Sequence, residues 1–222
     1  MTQFDADLEA LYTRLLLMGG TVESQLRVAS DVLRDGDADL AARVIDADAR
    51  VNAFEVEIDG LCATLIARRQ PAASDLRMVM AVTKIVTDLE RVGDEAEKVA
   101  RLAAQLVEQA CAGPFVRDLL RMGDGVRSML RDALDALARQ DAAHAEHVVA
   151  DDRRIDEQFR ALFEQVMRHP DAQGAAIEVL WLARSLERIG DHAKNVAESV
   201  IYLVLGTDVR HSRFDARETV AR

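Results

Sequence analysis

The feature that most constrains this chain is an internal duplication. The stretch Asp88-Leu-Glu-Arg-Val-Gly-Asp-Glu-Ala-Glu-Lys-Val-Ala100 returns 97 residues later as Ser185-Leu-Glu-Arg-Ile-Gly-Asp-His-Ala-Lys-Asn-Val-Ala197. Upstream, Leu16 to Asn52 matches Leu120 to Asp156 at a spacing of 104. There Met18, Gly19, Val22, Ser24, Leu26, Arg27 and Ala29 stand against Met122, Gly123, Val126, Ser128, Leu130, Arg131 and Ala133. Asp37, Val44 and Asp48 likewise match Asp141, Val148 and Asp152, and the change of spacing makes the second copy seven residues shorter between its second and third elements. Self-similarity on this scale decides the architecture before any local propensity does.

Each copy has the periodicity of three helices. In the third element of copy one, Ile85, Leu89, Val92, Ala96, Val99, Ala103 and Leu106 recur at steps of four and three. Leu182, Leu186, Ile189, Ala193, Val196, Val200 and Leu203 repeat the pattern in copy two. Such spacing makes a narrow apolar seam, the geometry of long helices crossing at a shallow angle in a bundle. Aromatic residues are only 4% of the chain and there are three Pro, which suits packed helices rather than a sandwich or barrel. Asp35-Gly36-Asp37 and Arg139-Gln140-Asp141 break the chain after the first helices, Pro71 and Pro170 after the second, and Ala112-Gly113-Pro114 between the copies. The expectation is an all-α fold of two tandem antiparallel three-helix bundles, with helices over 3–34, 38–68, 73–110, 116–139, 142–168 and 173–205. The units then span 1–112 and 113–206, followed by a polar tail over 207–222.

Charge narrows the partners. A formal net charge of −11 argues against nucleic acid, whose affinity comes from Lys and Arg neutralising phosphates, and suits cations or a basic protein. Cys62 and Cys111 form no CxxC and no secretory framework, as expected in a reducing cytosol. Met1 to Ala10 lacks the pattern of a signal peptide, and the most apolar stretch, Ser199 to Leu205, is too short to span a bilayer.

The repeat also carries chemistry. Glu90 and Asp94 are four residues apart, so their carboxylates stack on one helix face, as do those of Glu187 and Asp191. Like charges at this spacing destabilise a helix by about 0.2–0.5 kcal/mol unless something neutralises them. The second helices add Asp152 and Asp156 in copy two, and Asp48 and Asn52 in copy one. A short connection makes helices two and three antiparallel, so the start of one meets the middle or later part of the other and the four side chains can converge. Oxygen-only ligands select Mg²⁺, Ca²⁺, Mn²⁺ or iron over a closed Cys/His zinc site. Gly93 and Gly190 lie three residues after the glutamates; each costs a helix about 1 kcal/mol against Ala but gives a ligand or neighbouring helix room. The plainer alternative is a solvated acidic face balanced by Arg91, Arg188 and Lys98 without metal.

Other candidates are weaker. His144 and His147 share a face but have no counterpart in copy one, and His192 beside Asp191 is a neighbouring ligand or a surface residue. Trp181 reads as a core or interface residue rather than part of a cofactor box. There is no Glu-x-x-His pair of a di-iron oxidase, no phosphate-binding Gly loop and no nucleophile elbow, so catalysis has little support.

Taken together, the duplicated Leu-Glu-Arg-(Val/Ile)-Gly-Asp, Met18-Gly-Gly20, Arg68-Arg-Gln-Pro-Ala-Ala-Ser-Asp-Leu-Arg77 and Ala183-Arg-Ser-Leu-Glu-Arg-Ile-Gly-Asp-His192 resemble the PhoU family over nearly the whole chain. The resemblance implies two repeats of three long helices, usually as a homodimer. It implies an accessory protein of the phosphate-specific ABC transporter, a negative regulator linking the transporter ATPase to a phosphate-sensing histidine kinase. It further implies a cytoplasmic location, with membrane contact only through those partners. Some members hold iron or other cations on Glu/Asp-x-x-x-Asp motifs. Residue by residue these are Glu90 with Asp94, Glu187 with Asp191, Asp152 with Asp156, and Asp48 with Asn52, where the neutral Asn departs from the pattern. Iron, manganese, magnesium, zinc and calcium all stay open. Arg91 and Arg188, beside the acidic pairs, become candidate partner-binding residues. A metal-dependent enzyme or metal store is the alternative.

Overall fold

A computed structural model describes residues 3–69, 71, 73–108, 115–169 and 173–209. The described residues form six helices: α1 (Gln3–Asp35), α2 (Ala38–Arg69), α3 (Ala73–Glu108), α4 (Val116–Arg139), α5 (Ala142–Met167) and α6 (Gln173–Leu205). Cys111, the Ala112-Gly113-Pro114 junction, Pro170 and the tail from residue 210 lie outside the described residues.

The matched aspartates of the repeat explain where the second helices begin. Asp37 accepts hydrogen bonds from the backbone N–H groups of Asp39 (2.8 Å) and Leu40 (3.4 Å), and Asp141 accepts from that of His144 (3.0 Å). Both fill the N-cap role, satisfying N–H groups that have no partner inside the helix. Just before them the chain turns through positive φ, at Gly36 (70°) and Gln140 (51°), the left-handed conformation that closes a helix C-terminus. Gln140 donates its N–H to the carbonyls of Ala136 and Leu137.

Helices α1 to α3 pack on one another, and so do α4 to α6. The two units join mainly along α3 and α6, and more lightly along α1 and α4. The inner four helices therefore form a ring, with α2 and α5 laid on its outside. Both seams are antiparallel. Across α3/α6, Lys84 sits over the Tyr202 ring at 4.7 Å and Arg188 reaches Glu95 at 2.9 Å. Across α1/α4, the Tyr12 hydroxyl donates to the Leu137 carbonyl, and Arg131 meets Glu23 at 3.0 Å. Every residue of the expected 4-3 seams is buried, from Ile85 to Leu106 on α3 and from Leu182 to Leu203 on α6. Burying one Leu, Ile or Val contributes about 1.5–3 kcal/mol, so these seams hold the halves together. Among the described residues no helix is long and apolar enough to cross a membrane.

Candidate functional site

The motif glycine of copy one is where three helices meet. A Cβ on Gly93 would lie 3.1 Å from Gln25 Oε1 of α1, and 3.2 and 3.3 Å from Asp48 Oδ1 and Val51 Cγ1 of α2. Gln25 is only 2% exposed. Its amide nitrogen donates to the carbonyls of Val44 (3.2 Å) and Gly93 (3.3 Å) and to Asp48 Oδ1 (3.3 Å), while its Oε1 has no partner. Asp48 is buried and also accepts from Asn52 Nδ2 at 3.1 Å. Asn52 therefore serves as a donor that steadies Asp48.

Glu90 and Asp94 stand half-buried beside this junction. Burial and the charge of Asp94, then Glu55, push the Glu90 carboxyl above its usual range, against the pull of Arg91. Burial and Asp48 do the same to Asp94, and burial with Asp59 and Asp94 to Glu55. Glu55 is a member that sequence reasoning missed. It follows Asp48 by seven residues, hence on the same face of α2. Its match in copy two is Phe159, so the repeat gave no signal.

Copy two places Asp152, Asp156, Glu187 and Asp191 together in the same way. Burial, then Asp191, raises Glu187; burial, then Asp152, raises Asp191. Here, however, basic side chains bond the carboxylates directly. Lys194 Nζ lies 2.8 Å from Asp152 Oδ2, and Arg184 Nη1 lies 2.6 Å from Glu187 Oε1. Burial is the largest single influence on Lys194 and opposes its charge, but the hydrogen bond to Asp152 together with the charges of Asp152, Glu198 and Asp191 outweighs it, and its pKa rises. Arg184 also covers the Phe159 ring at 5.9 Å, and Arg160 approaches Asp156 at 3.8 Å. Glu187 Oε2 is buried without a hydrogen-bond partner.

The remaining candidates fall elsewhere. Arg188 does not serve its own motif: it spans the α3/α6 seam to Glu95, which Lys98 also holds at 3.0 Å. Arg91 is exposed, and its charge is felt by Glu90 and Glu55. His192 turns from Asp191 to Asp88 of α3, with Nδ1 at 2.9 Å from Oδ1, and Asn195 donates to the same oxygen at 3.0 Å. His144 lies 3.8 Å from Asp132, and His147 is exposed. Trp181 is 66% exposed and so is not a core residue.

Among the described residues no three His, Cys, Asp or Glu side chains close around one point as a metal would require. Coordination in copy one thus needs its half-buried Glu55, Glu90 and Asp94 to turn inward toward Asp48 and the open oxygen of Gln25. Glu55 adds a fourth carboxylate to copy one beside the neutral Asn52, and Arg91 and Lys98 act on that cluster through their charge; in copy two Lys194 and Arg184 bond Asp152 and Glu187 directly.

The PhoU domain model matches residues 15–103 and 119–200, one match per three-helix unit. The chain is 48% identical over 213 residues to the phosphate-specific transport system accessory protein PhoU homolog of Pseudomonas putida, covering 94% of this chain and 83% of that protein. It is 41% identical to the accessory protein PhoU of Escherichia coli K12, covering 94% of this chain and 88% of that one. The crystal structure of PhoU from Pseudomonas aeruginosa superposes with a TM-score of 0.89 at 45% identity, covering 92% of this chain and 100% of that one. The phosphate transport system regulatory protein PhoU from Streptococcus pneumoniae gives 0.85 at 31% identity, covering 93% and 99%.

Proposed function

The chain belongs to the PhoU family, and from that membership we propose that it is an accessory protein of a phosphate transport system. In this reading it restrains phosphate uptake and the phosphate-starvation two-component response when phosphate is plentiful. It acts by protein contact, linking the transporter ATPase to a phosphate-sensing histidine kinase as a homodimer at the cytoplasmic face, and catalyses no reaction. The observation that carries the reading is the match to accessory proteins along 94% of the chain.

The surface supports contact as the mode of action. Phe163 (45% exposed), Met167 (66%), Ile177 (65%) and Trp181 (66%) are large apolar side chains facing solvent. The α5/α6 register that sets Phe159 beside Arg184 and Ile155 beside Gly190 brings Phe163 level with Trp181 and Met167 level with Ile177. An exposed apolar cluster containing Trp and Met has the composition of a protein-binding hot spot. Copy one has Asp59, Ala63, Met80 and Lys84 at the matching positions, so the cluster is not inherited from the repeat.

A cation belongs to this reading through the motif carboxylates. In copy one the carboxylates and the Gln25 oxygen fit a hard cation such as Mn²⁺, Mg²⁺, Ca²⁺ or iron better than zinc. Bound there, a cation supplies charge neutralisation. The chain's own residues do the rest, with Asp48 tying the cluster to α2 and Glu90 and Asp94 tying it to α3. In copy two the resident ammonium and guanidinium do not fit a metal.

The test is direct association. The full-length chain should co-elute on size exclusion with the transporter ATPase or with the kinase's cytoplasmic region, and Trp181→Ala should weaken that complex while leaving the fold intact. Failure of the parent protein to bind either partner refutes the contact mechanism.

A further inference from the structure

We propose that the two copies of the motif have diverged, copy one into a cation site and copy two into a site closed by the chain's own Lys194. This rests on the cation reading above and assigns the site to one half of the molecule.

The divergence comes down to paired positions. At the motif spacing of 97, Lys194 stands where α3 has Glu97, and Arg184 where it has Thr87. Lys194 bonds buried Asp152 at 2.8 Å, and Arg184 bonds Glu187 at 2.6 Å. A metal entering copy two must displace an ammonium from a buried carboxylate and then sit beside that displaced charge. Both steps cost free energy that a solvated cation site does not face.

Copy one has the opposite balance. Glu97 pairs with Arg101 on its own helix, and the side chains that donate to Asp48 are the neutral Gln25 and Asn52. Glu55, Glu90 and Asp94 lie within the field of one another or of Asp48, Arg91 and Lys98 offset part of that repulsion, and Lys98 is itself bonded to Glu95. Independently of the charges, the buried Gln25 presents an unpartnered Oε1 at Gly93, next to Asp48. Copy two has Met129 at that position. Copy one therefore offers carboxylates from α2 and α3 together with a neutral oxygen from α1, a donor set for a hard cation. Bound there, the cation fastens all three helices of the first unit and leaves the second unaffected.

The experiment titrates chelator-stripped, full-length protein with Mn²⁺ and counts bound ions from the loss of the free-ion EPR signal. The parent protein should bind one ion. Glu97→Lys, which places an ammonium where it can reach Asp48, should weaken that site at least tenfold, whereas the control Glu97→Gln should keep it. Lys194→Glu should add a second ion, with circular dichroism confirming that each variant is folded. Two ions on the parent protein, or still one on Lys194→Glu, overturns closure by Lys194. One ion that survives Glu97→Lys but is lost in Asp152→Asn places the site in the wrong copy and refutes the proposal. No bound ion on any of the proteins refutes it together with the cation reading, and leaves the phosphate-regulatory function untouched.

Discussion

The matched glycines of the duplicated motif should respond in opposite ways to one substitution. Replacing a helix-interior Gly by Ala gains about 1 kcal/mol of helix propensity at either position. At Gly190 the nearest atoms to the new methyl belong to Ile155, at 3.4, 3.6 and 3.7 Å, which is ordinary van der Waals contact. Gly190→Ala should therefore stabilise the protein by about 1 kcal/mol, or about 2–4 °C for a chain of this size. At Gly93 the methyl would meet three buried neighbours at 3.1, 3.2 and 3.3 Å. Gln25 is held in place by three hydrogen bonds, so it cannot retreat without loss. Overpacking of this kind costs about 1–3 kcal/mol, which cancels or exceeds the propensity gain. The two variants should then differ by about 1–3 kcal/mol, read by urea unfolding with chelator present. If Gly93→Ala stabilises as much as Gly190→Ala, the close approach of α1 and α2 to α3 at the motif is wrong.

Two further outcomes follow from the same structure. Glu55, Glu90, Asp94, Glu187 and Asp191 all have raised pKa values, so the folded state holds their protons more tightly than the unfolded state. Their contribution to stability is complete below the ordinary carboxylate range and is lost as pH rises through the raised values. Thermal melts of metal-free protein between about pH 4 and 7 should show this loss, and a Glu90→Gln, Glu187→Gln variant should show a shallower one; equal slopes would contradict the clustering. Trp181, the single tryptophan of the chain, should emit as a solvated indole and shift to shorter wavelength when the transporter ATPase or the kinase is added. An emission maximum unmoved in a formed complex would place the contact on another face.

The helices were legible because their signals are local and repeated. Each seam residue was identifiable from a 4-3 spacing that occurs twice, and the breaks before α2 and α5 from Asp37 and Asp141 in matching places. The duplicated motif also located Glu90, Asp94, Glu187 and Asp191, since carboxylates four apart must share a face. What stayed hidden depends on how helices distant in sequence meet. Glu55 joins copy one only because α2 crosses α3, and its partner position is Phe159. Lys194 differs visibly from Glu97 in the aligned repeats, but nothing local says that its ammonium reaches Asp152 on α5. Arg188 and His192 lie beside the carboxylates of their own motif in sequence, yet both cross the α3/α6 seam, to Glu95 and Asp88. Periodicity within a helix does not encode that pairing of the two units.

The most direct test of the account is regulation in the native host. The gene for this chain is deleted, a phosphate-starvation reporter is followed in phosphate-rich medium, and the intact gene is then restored. The account predicts that the reporter switches on in the deletion strain and is silenced again by the parent chain. A reporter that stays repressed in the deletion strain would contradict it.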